Sequence, residues 1–139
     1  RGSIDVDALV NVLNNENEKL GGLPVIVLYA LNDYDLRAVA TATGAFPTVK
    51  VGAAWWFNDT LGGIKRQLET VAEYSVLGTQ LGMLTDSRSF SSYVRFDYYR
   101  RILSSFIGEK ADYGEYDMSS AETLAKNVAY YNIKEALNG

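Results

Sequence analysis

The chain alternates between stretches whose apolar residues recur at helical spacing and stretches that are apolar without interruption. Val6, Leu9, Val10 and Leu13 share one face of a helix predicted over residues 5–20, which the Gly21-Gly22 pair is placed to stop. Residues 23–31 then form a continuous apolar run rich in β-branched side chains, the pattern of a strand covered on both faces. Asn32 and Asp33 end that run and can cap a short helix over residues 36–43, closed by Gly44. After a turn at Phe46-Pro47, a second strand is predicted over residues 49–57. A helix follows over residues 61–74 with Ile64, Leu68 and Val71 facing inward, its first turn weakened by Gly62-Gly63. A third strand is predicted over residues 81–85, and a helix over residues 92–107 ending at Gly108. The last predicted helix covers residues 121–137. It starts with Ser119 and Glu122 at capping-box spacing and carries Leu124, Val128 and Tyr131 inward.

Strand starts near residues 23, 49 and 81 give βα units of about 30 residues each, so the predicted class is α/β with parallel strands. Units of that size build either a doubly wound sheet or a TIM-type (β/α)8 barrel. A whole barrel takes about 250 residues, so three strands and their helices make only a part of one. The 139 residues therefore read as a single partial barrel domain, with an unusual small α/β domain as the alternative. Either way, unpaired strand edges invite association with another chain or a second copy.

Composition narrows the function classes. With 47% hydrophobic residues the chain can bury one ordinary core. A net charge of −4, from 13 basic and 17 acidic residues, is wrong for a nucleic-acid surface. No apolar run approaches the roughly 20 residues of a membrane span, and the first five residues lack a signal peptide's apolar core, so a cytoplasmic protein with no membrane partner is expected. The sequence has no cysteine and no histidine, which leaves carboxylates as the only strong metal ligands.

Two strand ends carry the candidate chemistry, because parallel α/β folds deliver functional groups to the carboxyl ends of their strands. One run, Gly82-Met83-Leu84-Thr85, passes into Asp86-Ser87-Arg88-Ser89. A carboxylate at position 86 could bind a divalent cation and take a proton, or cap the helix behind it. Arg88 offers a planar fork suited to a substrate carboxylate, or a surface ion pair. Ser87 and Ser89 are hydroxyl donors or caps. The other run, Val51-Gly52-Ala53-Ala54-Trp55-Trp56-Phe57, passes into Asn58-Asp59, of which Asp59 reads mainly as a cap. Adjacent strand residues point to opposite faces, so one of Trp55 and Trp56 faces inward, where an indole can cover the apolar face of a sugar. Arg100-Arg101 and the tyrosines at 93, 98 and 99 read as surface and packing residues.

These two runs, together with Ser92-Tyr93-Val94-Arg95-Phe96-Asp97-Tyr98-Tyr99-Arg100-Arg101-Ile102-Leu103, resemble the C-terminal third of the glucuronate (uronate) isomerases, metal-dependent barrel enzymes of the amidohydrolase superfamily. The likeness runs over about residues 23–132. It implies Asp86 as a catalytic and metal-binding residue, and Arg88, Trp55, Trp56 and Ser87 as substrate-binding residues. The implied reaction interconverts a hexuronate and a ketohexuronate, and the implied cofactor is a divalent metal, zinc in type. The implied partners are the uronate, the missing N-terminal part of the barrel or a second copy, and a homo-oligomer. The sequence departs from the family where Arg-His-Glu-Tyr-Phe-Arg-Arg is replaced by Arg95-Phe96-Asp97-Tyr98-Tyr99-Arg100-Arg101, and it lacks the His-x-His pair of the first barrel strand. The isolated chain is accordingly expected to be inactive. Another amidohydrolase-type hydrolase, or a non-catalytic α/β module, is the alternative.

Overall fold

The computed structural model describes residues 4–53 and 58–138. Helix α1, Val6–Leu20, begins at Asp5, whose side chain accepts from the Ala8 amide at 3.0 Å, and ends at Gly21. Its Leu13 is buried with Leu23, Phe46 and Val49 in a small cluster beside the start of the sheet. Strand β1, Ile26–Leu28, leads into α2, Asp33–Gly44, capped by Asn32. Strand β2, Val49–Val51, is followed by α3, Leu61–Tyr74. A single-turn 3-10 helix, Leu77–Thr79, precedes the extended segment around Met83, and a second, Phe90–Tyr93, leads into α4, Val94–Asp112. Helix α5, Met118–Lys126, passes through a π-helical turn, Asn127–Tyr131, into α6, Asn132–Asn138.

The strands run parallel. β1 and β2 pair with Ile26 opposite Val49 and Leu28 opposite Val51, and the Gly52 amide extends the ladder by donating to the Leu28 carbonyl at 2.7 Å. A lone parallel bridge joins Ala53 to Met83, and the Leu84 amide donates to the Ala53 carbonyl at 3.3 Å. All three carboxyl ends therefore emerge on one side, in the spatial order β1, β2, Met83 segment. Helices α2, α3 and α4 bury Val39, Ile64, Leu68, Ile102, Leu103 and Phe106 around Val51 and Ala53. Burying each such side chain is worth about 1.5–3 kcal/mol, which makes this shared core the main source of stability.

The strands are shorter than the apolar runs. Residues 23–31 yield three paired residues, and residues 49–57 yield Val49–Val51 plus the bridge at Ala53, with positions 54–57 outside the described residues. Residues 81–85 yield only the bridge at Met83. There a side chain stands in for the strand: Gln80 Oε1 accepts from the Val51 amide at 3.0 Å. An uninterrupted apolar run signals burial, and burial extends beyond the paired backbone. Nor is β2 covered alike on both faces, because Val49 and Val51 are buried while Lys50 between them is only half-buried on the opposite face.

Two helix ends in the C-terminal half also differ from expectation. Gly108 does not end α4, which runs to Asp112 and stops before Gly114, a residue at φ +78°. The last helical segment begins at Met118 rather than 121. Its cap is Asp117, which accepts from the Ser120 amide at 3.0 Å, not Ser119. Val128 is buried as predicted, whereas Tyr131 is exposed, because the π-helical turn shifts the helical phase between them.

Candidate active site

At the carboxyl edge of the sheet, β1 delivers Tyr29, β2 delivers Gly52 and Ala53, and the Met83 segment delivers Thr85 and Asp86. The Tyr29 ring lies directly over Gly52, where a side chain's Cβ would collide with it. On the same residue, the Gln67 side-chain amide donates to the Gly52 carbonyl. A glycine is thus required by the close approach of the Tyr29 ring. The Tyr29 phenol is pushed above its ordinary value, first by burial and then by the negative charge of Asp86. At neutral pH Tyr29 is therefore a protonated donor beside a carboxylate.

Asp86 stands out in the backbone, with φ +48°, the sole non-glycine at positive φ among the described residues. That left-handed conformation costs a residue with a Cβ roughly 1–2 kcal/mol, and aspartate tolerates it better than most. Asp86 does not cap a helix: the 3-10 helix after it starts from Ser89 and α4 from Tyr93, neither with a side-chain cap. Ser87 instead organises the turn, its hydroxyl accepting from the Ser89 amide at 3.2 Å and from the Ser92 hydroxyl at 2.6 Å.

Arg88 projects from this turn. It is exposed and makes no ion pair among the described residues, so the surface-pair reading does not hold here. With Thr85, Ser87, Ser89 and Phe90 it lines a depression of about 70 Å³. Small-molecule sites begin at roughly 300 Å³, so this depression is too small to hold a ligand by itself. Trp55 and Trp56 lie outside the described residues.

Two features are not visible in the sequence pattern. Asp59, read as a cap, is nearly buried and forms an ion pair with Arg95, while Thr60 caps α3 in its place. Arg95 reaches on to the Thr85 carbonyl at 3.3 Å, so one guanidinium ties the end of the β2 segment to the residue before Asp86. Nearby Asn58 is buried and its Oδ1 lacks a hydrogen-bond partner among the described residues. The only advance signal for any of these was the polar cluster ending each apolar run.

A divalent ion needs more donors than this surface supplies. Among the described residues no three carboxylates converge, and the sequence has no histidine or cysteine. Asp86 alone could be one ligand, so these residues do not form a metal site by themselves. A larger groove of about 430 Å³ runs between α2 and α3, with Arg66 and Asp33 in its lining paired at 2.9 Å. No helix among the described residues is long and apolar enough to cross a membrane.

Known proteins share both the sequence and this geometry. The glucuronate isomerase family profile matches residues 3–137. The uronate isomerase of Oceanobacillus iheyensis is 44% identical over 132 residues, covering 89% of this chain, and that of Caldicellulosiruptor saccharolyticus is 42% identical over 136 residues, covering 92%. The crystal structure of glucuronate isomerase from Caulobacter crescentus superposes with a TM-score of 0.84 at 30% identity over 99% of this chain. That of uronate isomerase from Thermotoga maritima superposes with a TM-score of 0.82 at 37% identity over 89%. The chain spans only 28–29% of the length of these relatives. With a profile match across almost all of its residues and relatives this similar in sequence and shape, the chain belongs to the glucuronate isomerase family.

Proposed function

We propose that this chain is the C-terminal part of a uronate isomerase and supplies the last three strands of a TIM-type barrel, with Asp86 as the proton-transfer residue and Arg88 as the anchor for the substrate carboxylate. The observation that carries this reading is the placement of Asp86 at the carboxyl end of a parallel sheet, on a left-handed turn that also presents Arg88. Barrel enzymes assemble their catalytic groups on that face.

The reaction that fits these groups is an aldose–ketose interconversion. In the forward direction the C2 proton of the open-chain hexuronate leaves to a base, and the C2–H electron pair becomes the C1–C2 double bond of an enediolate. The C1 carbonyl pair moves onto O1, which takes a proton, and a proton then adds at C1 while O2 gives up its hydroxyl proton and becomes the ketone carbonyl, with no net gain or loss of protons or electrons. In this reading Asp86 takes and returns that proton. Arg88 pairs its fork with the carboxylate and so fixes which carbon faces Asp86. Ser87 and one of Trp55 and Trp56 complete the wall this chain gives to the sugar. The remaining walls, and the other ligands of a zinc-type ion beside Asp86, would come from the rest of the barrel.

The test uses the whole gene product with glucuronate and a fructuronate readout. Turnover is expected, and Asp86→Asn should lower kcat by at least about 100-fold, the scale of losing a general base. Arg88→Met should act mainly by raising KM. A whole protein inert on every hexuronate, or an Asp86→Asn variant as fast as wild type, would overturn the proposal.

A further inference from the structure

Arg95 sits in the first turn of α4, where the helix dipole opposes a cation, so the residue does nothing for its own helix. What it does instead lies off the helix. One arm of the guanidinium pairs with Asp59, whose side chain is only 9% exposed, and the other donates to the Thr85 carbonyl at 3.3 Å. The Thr85 carbonyl belongs to the peptide group that joins Thr85 to Asp86. The φ angle of Asp86 is the rotation between that peptide plane and its own Cα, and it is this angle that stands at +48°. Gripping the carbonyl therefore fixes the plane against which the unusual φ is set.

The buried partner matters as much as the grip. A carboxylate as enclosed as Asp59 holds one arm of the guanidinium by a charge-assisted contact and cannot release it cheaply to water. Asp59 follows the β2 end and Thr85 follows the Met83 segment, so Arg95 staples two neighbouring strand ends at the level of the candidate site.

We propose that Arg95 is a positioning residue: anchored on Asp59, it locks the Thr85–Asp86 peptide and so holds the Asp86 carboxylate in its proton-transfer position. This role rests on the isomerase reading above. It acts on the direction of one side chain rather than on substrate affinity, since Arg95 contacts the backbone behind Asp86 and does not line the depression around Arg88.

The decisive experiment is steady-state kinetics of Arg95→Met and Arg95→Lys in the complete isomerase, with hexuronate carrying deuterium at C2. Misplacing a reacting group by about 1 Å costs on the order of 100-fold, so Arg95→Met should lose about 100-fold in kcat with KM moved less than about 3-fold. The C2 deuterium isotope effect on kcat should rise, because proton transfer becomes the slow step. Arg95→Lys, which can keep one of the two contacts, should recover part of kcat. A purely structural residue would instead lower the amount of active protein and leave the isotope effect of the remainder unchanged, and that result would overturn the role. So would Arg95→Met turning over like wild type. Should Arg95→Met fail to fold, Arg95→Lys decides by the same isotope effect. A wild-type protein inert on hexuronates would instead overturn the isomerase reading, and this role with it, so the two failures are told apart by the wild-type control.

Discussion

A methyl group at position 52 has nowhere to go. The Tyr29 ring fills the space a Cβ would take, and Gln67 holds the carbonyl from the other side. Gly52→Ala must therefore push Tyr29 away from the strand end, and overpacking of this kind costs about 1–3 kcal/mol. A urea melt should show that loss, and a tyrosine titration should show the Tyr29 phenol moving back toward its ordinary value as it leaves its buried place beside Asp86. The same scale shows what a sequence can disclose about a site. Asp86, Ser87 and Arg88 could be singled out as candidates because they stand together at the end of one apolar run. Tyr29 and the Arg95–Asp59 pair were not, because their meaning lies in partners brought close only by folding. Asp59 beside a helix start reads as a cap, and nothing local reveals that Thr60 takes that job and frees Asp59 for Arg95.

At the scale of elements, helices were read well where a periodic apolar face was clear, as in α1 and α3, whereas α2 starts at Asp33, three residues before its predicted start. They were misread where one signal stood alone. Gly108 looked like a stop, yet a glycine inside a helix costs only about 1 kcal/mol against alanine, and the buried face of Ile102, Leu103, Phe106 and Ile107 outweighs it. At the start of α5 two capping patterns overlap by two residues, and Asp117 wins because its carboxylate accepts from the Ser120 amide and from the hydroxyls of Ser119 and Ser120. Those bonds hold the Asp117 carboxyl well below the usual carboxylate range, the side-chain bond from Ser120 contributing most. A depressed folded-state value means that the cap contributes above about pH 4, where the unfolded carboxylate is also ionised, and fades as pH falls below it. Asp117→Ala should accordingly lower Tm at pH 7, and the gap to wild type should narrow progressively under acid, as followed by circular dichroism at 222 nm. A gap that stays constant to pH 2 would mean that the helix start is set by something other than this carboxylate.

For the molecule as a whole, the parallel α/β class and the order of units were legible from the spacing of apolar runs, whereas the number of residues that truly pair was not. Run length reports burial, and the core of α2, α3 and α4 accounts for it without long strands. Among the described residues, β1 pairs with β2 on one edge and with no strand on the other, and Val25 and Leu31 beside it are half-exposed. Phe90, Tyr93 and Val94 add a second apolar patch next to the depression at Arg88. An open parallel edge of this kind pairs with whatever backbone is offered. Produced by itself, the 139-residue chain should associate, and sedimentation velocity should show species heavier than the monomer. Val25→Lys, which puts a charge beside the edge, should shift them toward monomer. A monodisperse wild-type chain would show that this edge is already satisfied.

Asn132, at the start of α6, donates to the Gly78 carbonyl at 2.7 Å and to the Gln80 carbonyl at 2.8 Å, while the Gln80 side chain takes the Val51 amide. During synthesis the segment carrying Gly78 leaves the ribosome 54 residues ahead of its partner. At roughly 5–20 residues per second that is a wait of several seconds. Through that interval the approach to Asp86 has lost neither its sequence nor its neighbouring strands, only the clasp that closes over it. The edge that carries Asp86 is therefore among the later parts of this chain to become rigid, and a translational pause before Asn132 would prolong the time it spends unlatched.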